Sequence, residues 1–294
     1  MSAPEPAGVI HDIGFRHYDG PRLGRRAVTR ALFGESLRGA YGFGRSTRSK
    51  IMPLLLLTAV VLPALFAAVN VNVTGGDELP IGFAEYQLAV SPLLALYVAG
   101  QAPAAVSRDL RSRVVTLYFS RPLARTDYVR AKLAALSAAV LVLTALPLLV
   151  LWAGALLAEF DVVQTTQDLL VALVGVVLLS VLLAGLGLVI AALTPRRGFG
   201  VAAVITVLLV LVSVQGALQA LGDEQGNAAL AGWSGLLTPY TLVNGVLEWV
   251  FDAGVDAPEP PGAAGGPVYL LVALATAAAC YVLLVLRYRR VSVS

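Results

Sequence analysis

Six long apolar blocks, separated by polar stretches, run through the 294 residues and leave little choice of fold. They extend from Ile51 to Val71, Tyr86 to Val106, Leu133 to Ala158, Leu169 to Leu193, Phe199 to Leu221 and Val268 to Leu286. Each is close to the roughly 20 residues that a helix needs to cross a hydrocarbon core of about 30 Å. A lone crossing segment must satisfy its backbone hydrogen bonds within itself, so each block is expected to be a helix. Barrel strands need only about 9 to 11 residues and alternate in polarity, which these blocks do not. Only 13% of the chain is charged, against about 25% in soluble domains, so lipid is the expected solvent. The expected fold class is therefore an all-α membrane protein with six transmembrane helices. Pro53, Pro63, Pro92, Pro103 and Pro147 fall inside the blocks as kinks that neighbouring helices can accommodate.

The polar stretches divide by charge. All 21 lysines and arginines fall in residues 1–50, Ser107 to Lys132, Thr194 to Gly198 and Arg287 to Ser294. The other stretches, Asn72 to Glu85, Glu159 to Asp168 and Gly222 to Pro267, hold 12 of the 18 acidic residues and no cation. Under the positive-inside rule the basic set is cytoplasmic, which places both termini there in the plasma membrane. The domain reading follows: residues 1–50 form a cytoplasmic segment, 51–286 a six-span membrane domain and 287–294 a cytoplasmic tail. The arginine-rich lead-in is too long for a cleaved signal peptide, so the first block is read as an anchor.

Several chemistries are disfavoured. Cys280 is the single cysteine, so no intrachain disulfide forms. His11 and His17 both lie in the N-terminal segment, without HEXXH-type spacing, so no catalytic, cofactor or metal residue is expected. No block carries a charge at its centre, the usual mark of an ion-coupled carrier. A Walker A loop needs Lys followed by Ser or Thr, but Lys50 and Lys132 are followed by Ile51 and Leu133.

Three segments invite a functional reading. In Ala27 to Tyr41, Phe33, Leu37, Ala40 and Tyr41 share a helical face, with Arg30 falling on the same side; a helix in the membrane interface suits this pattern. In Ser107 to Lys132, charges are interleaved with Leu110, Val114, Leu117, Tyr118 and Phe119, more apolar surface than a solvated loop requires, which points to a docking partner. Gly222 to Pro267 contains the apolar stretch Trp233 to Phe251, interrupted by Pro239, Asn244, Gly245 and Glu248. It is read as one or two short helices half-inserted in the outer leaflet, with Trp233, Tyr240 and Trp249 at head-group level and a loop over Pro258 to Pro267. Within the blocks, Tyr97 with Gln101 and Gln215 with Gln219 are one turn apart; they either line a translocation path or hold helices together.

With these segments placed, the chain resembles the permease subunits of type-2 ABC transporters, the ABC-2 family. Asp109, Thr116, Leu117, Ser120, Arg121, Pro122, Arg125 and Lys132 match that family's junction after the second span, although Asp109 stands where Glu is common and Val115 where Gly is common. The run His17 to Gly24 is similar to some of its openings. The resemblance implies a coupling helix between spans two and three that sits on a separate ATPase. Asp109, Arg111, Arg113, Thr116, Leu117, Ser120, Arg121, Pro122 and Arg125 would form that interface. It further implies a dimer of permeases in the bilayer and two ATPase subunits that bind ATP and Mg. This chain would not itself be an enzyme, and no nucleic-acid partner is expected. The competing readings are an ion-coupled secondary transporter and a non-transporting structural membrane subunit.

Overall fold

The computed structural model describes residue 20 and residues 24–44, 46–76, 78–111, 123–194, 197–254 and 258–290. All regular structure among them is helical, in ten segments. These are α1 (Arg25–Ala40), α2 (Arg48–Thr74), α3 (Tyr86–Ala89), α4 (Ser91–Arg111) and α5 (Arg125–Leu157). They continue as α6 (Val162–Leu193), α7 (Arg197–Glu224), α8 (Ala228–Ser234), α9 (Pro239–Phe251) and α10 (Gly262–Arg290). Five of them, α2, α5, α6, α7 and α10, are long and apolar enough to cross a membrane.

The second apolar block is not one helix. It breaks at Val90 between α3 and α4 because Pro92 has no N–H with which to continue the ladder. The Ser91 carbonyl accepts a hydrogen bond from the Tyr240 hydroxyl at 3.1 Å. The apolar part of α4, Ser91–Val106, has 16 residues and is about 24 Å long, short of the roughly 30 Å core.

Tyr86 of α3 serves a second proline. Pro63 lies inside α2, and beside it the Tyr86 hydroxyl inserts between turns, donating to the Val60 carbonyl and accepting from the Ala64 N–H at 3.1 Å. It thus bonds both backbone groups of the Ala64-to-Val60 rung beside the proline. Pro53, Pro103 and Pro147 also lie inside helices.

Helix α6 is the hub, touching α4, α5, α7, α9 and α10. In its most apolar stretch 56% of residues are buried, against 17% in α7, so α6 is core and α7 is the periphery. Helix α5 joins α6 to α2 and α1. Where α2 crosses α5, Gly154 lies against Ala68, and the Asn72 amide donates to the Ala68 and Gly154 carbonyls, each at 2.8 Å.

One placement differs from the sequence reading: residues 262–267 are not loop but the first turns of α10. Of the three aromatics in this region, Tyr240 of α9 is 2% exposed and buried, whereas Trp233 and Trp249 are exposed.

Candidate functional site

The segment between α4 and α5 carries most of the expected coupling residues. Asp109 and Arg111 lie in the last turns of α4. Arg113, Thr116, Leu117, Ser120, Arg121 and Pro122 lie outside the described residues. Arg125 opens α5, and its Nη1 donates to the Arg289 carbonyl at 3.1 Å, near the end of α10.

Two further arginines make related contacts. Arg287 Nε donates to the Ala192 carbonyl at 3.2 Å, so a cation of α10 meets the carbonyl end of α6. Cations at helix C-termini are favoured by the axial dipole and by the unpaired carbonyls there. Arg130 donates to the Tyr281 hydroxyl at 3.1 Å and lies 6.0 Å from that ring's centroid. Lys132 is buried with its ammonium 5.5 Å from the ring of Tyr128, which itself packs 4.9 Å from Tyr288. These basic residues knit α5, α6 and α10 together at one end of the bundle; orientation relative to the membrane is not their whole role.

Helix α1 packs lengthwise against α5 and also touches α4. Its buried face centres on Leu32 and Ala40, flanked by Val28, Phe33 and Leu37, and Arg30 points to the exposed side. The expected clash of Arg30 with an apolar face is therefore absent, because the face is rotated toward Leu32. At one end the Arg25 guanidinium pairs with Asp127, and this partner raises the arginine's affinity for its proton, the hydrogen bond first and the Coulomb attraction second. At the other end the Tyr41 hydroxyl donates to the Ala139 carbonyl at 2.7 Å; burial pushes that phenol up to about 12, so it stays a neutral donor at physiological pH. The chain then turns into α2 through Gly42, whose φ of +74° and contact with the Ser49 backbone leave no room for a side chain.

The four expected path residues form two separate pairs. Tyr97 is fully buried and its hydroxyl points to the Ala40 carbonyl at 3.4 Å, toward the end of α1. Gln101 is buried one turn further along α4. Gln215 donates to Gln219 at 2.8 Å within α7. Helices α4 and α7 meet where Gly200 faces Pro103. From that contact Gln101 is about 3 Å along the bundle and Gln215 about 22 Å, so the pairs sit at depths about 20 Å apart. Other buried polar side chains, Gln87, Thr144, Ser180 and Asn244, lie in the interior. Gln87 donates to the Thr144 carbonyl at 3.2 Å, while its Oε1 and the Asn244 Nδ2 have no hydrogen-bond partner among the described residues. Gln87 had a legible signal, an amide inside the second block, but no matching partner one turn away to draw attention.

At the end of the bundle opposite the arginine contacts, a cavity of about 910 Å³ opens between the end of α2, residues 78–85, the α5–α6 turn and the end of α9. Glu78, Glu85, Glu159, Asp161, Asp168 and Asp252 line it, with no lysine or arginine. Asp161 is committed to capping α6, accepting from the Gln164 N–H at 2.7 Å. Among the described residues these carboxylates do not form a cluster of three or more metal ligands.

Set against models of known families and against curated proteins, the chain matches none. The fold and site define a multi-pass helical membrane protein, and the particular function rests on the residues themselves.

Proposed function

We propose that this chain is the membrane-spanning permease subunit of an ATP-driven exporter, whose ATPase is a separate chain. The observation that carries the reading is the segregation of charge: every lysine and arginine falls in the alternate connections of six apolar blocks, the set that the positive-inside rule puts on one side. On that side, the longest internal basic segment, between α4 and α5, interleaves cations with apolar residues. Under the positive-inside rule it faces the cytoplasm, where a nucleotide-hydrolysing partner works. In this reading α3 and α4 together make the second span. Helices α8 and α9 enter the outer leaflet part way, and α1 lies at the cytoplasmic surface. A second permease subunit completes the path within the bilayer.

ATP and Mg belong to the partner, because neither lysine stands in a Walker A setting. A proton- or sodium-coupled carrier is the weaker reading, since no apolar block holds a mid-membrane charge.

Charge reversal at Arg111 or Arg121 tests the docking role. With the cognate ATPase co-expressed, each variant is expected to weaken pull-down by roughly tenfold, because reversing an interfacial charge replaces an attraction with a repulsion. The same variants should lose stimulation of ATP hydrolysis. Wild-type pull-down and stimulation in both variants would remove this segment as the coupling surface.

A further inference from the structure

Helix α1 touches both helices that flank residues 112–122, α4 before them and α5 after. Its first residue grips the start of α5: Arg25 Nε donates to Asp127 Oδ2, and Nη2 to Oδ1 at 2.9 Å. The same carboxylate accepts the Ala124 N–H at 3.3 Å, so it also fixes the first turn of α5. At its far end α1 is held twice, by Tyr41 on the Ala139 carbonyl and by Tyr97 of α4 on the Ala40 carbonyl. The two grips on α5 are twelve residues apart, about 18 Å along that helix.

Held at two points on α5 and touching α4, α1 bridges the two helices. The two ends differ in access to water. Tyr97 is fully buried, whereas the Arg25 side chain is 58% exposed over an Asp127 that is 10% exposed. An ion pair with one exposed partner is more open to screening and to exchange of partners than a buried hydroxyl contact.

We propose that α1 is a brace holding α4 and α5 at a set angle, with the tyrosine end as its pivot and the Arg25–Asp127 pair as its releasable latch. Releasing the latch frees α5 to shift against α4 where residues 112–122 join them. This device belongs to the chain alone, and its test needs no partner, so its failure is separable from failure of the exporter reading.

The test uses the full chain in lipid nanodiscs, with Cys280→Ser and spin labels at Ala104→Cys and Ala134→Cys. In Arg25→Ala and in Asp127→Asn, the α4–α5 distance distribution should broaden. Hydrogen exchange should rise roughly fivefold in residues 26–33 and stay unchanged in residues 37–42. The reversed pair, Arg25→Asp with Asp127→Arg, should restore both readouts, and high salt should reproduce the release in the parent chain. An unchanged distance distribution in either single variant would overturn the brace. So would exchange that rises evenly along α1, which marks simple helix destabilisation, or a reversed pair that fails to narrow the distribution.

Discussion

Replacing Gly245 by valine is expected to lower the apparent melting temperature of the detergent-purified protein by roughly 5–10 °C. Gly245 lies in the middle of α9, and a Cβ there would run into the Tyr269 ring of α10. That ring cannot retreat: it is fully buried, its hydroxyl donates to the Gly232 carbonyl, and it also lies against Gly235. Tyr269 is thus the post on which both short helices, α8 and α9, are mounted. Forcing extra methyl groups into such a contact costs about 1–3 kcal/mol or more through displaced neighbours. The penalty should reach beyond α9, because α9 also packs on α6, where Leu247 and Val243 fill the notch at Gly175. Combining Gly245→Val with Tyr269→Leu should recover part of the loss, since the two residues share one contact. A melting temperature unchanged in Gly245→Val would mean that α9 is not held in this way.

The second large effect is expected at Tyr86. Its hydroxyl bridges the Val60 carbonyl and the Ala64 N–H beside Pro63, in a place 1% exposed. Tyr86→Phe removes the oxygen that both backbone groups bond. Each group left unsatisfied costs about 1–3 kcal/mol unless α2 closes its own rung. Two outcomes are separable by measuring the distance between labels at the ends of α2. If that distance is unchanged, stability falls by about 2 kcal/mol or more. If α2 rearranges, stability recovers and the contact of α2 with α3 is lost. A variant with both wild-type distance and wild-type stability would remove Tyr86 from the support of α2.

The long helices were legible because lipid imposes a simple rule: enough consecutive apolar residues make a helix of about the right length. The rule fails where an apolar run hides a backbone break. Pro92 announced the interruption of the second block, yet the side chains on either side are equally apolar, and only the junction at Val90 between α3 and α4 shows that the ladder stops there. The face of α1 was legible in large part: Phe33, Leu37, Ala40 and Tyr41 all pack on the core. Leu32 was passed over, although it and Ala40 are the buried centre of that face. Tyr240 has the composition of an interface aromatic, and only the partner carbonyl at Ser91 reveals it as an internal support.

Site residues were less legible than helices. Helical spacing correctly pairs Gln215 with Gln219, which bond to each other, but spacing within one helix carries no information on which pairs meet across helices. The acid-lined cavity was invisible for the same reason, since its walls come from three separate stretches of chain. The arginine contacts were hidden behind a sufficient explanation. Positive-inside bias accounts for Arg125 and Arg287 without any contact, so their bonds to the carbonyls of Arg289 and Ala192 had no separate signal.

The account depends on which side of the membrane the basic segments face. In a Cys280→Ser background, single cysteines at Ser46, in the turn before α2, and at Gln225, just after α7, report the two sides. A membrane-impermeant maleimide applied to intact cells is predicted to label position 225 and to reach position 46 only after the membrane is opened. Labelling of position 46 from outside intact cells would contradict the topology, and with it the assignment of a cytoplasmic coupling face.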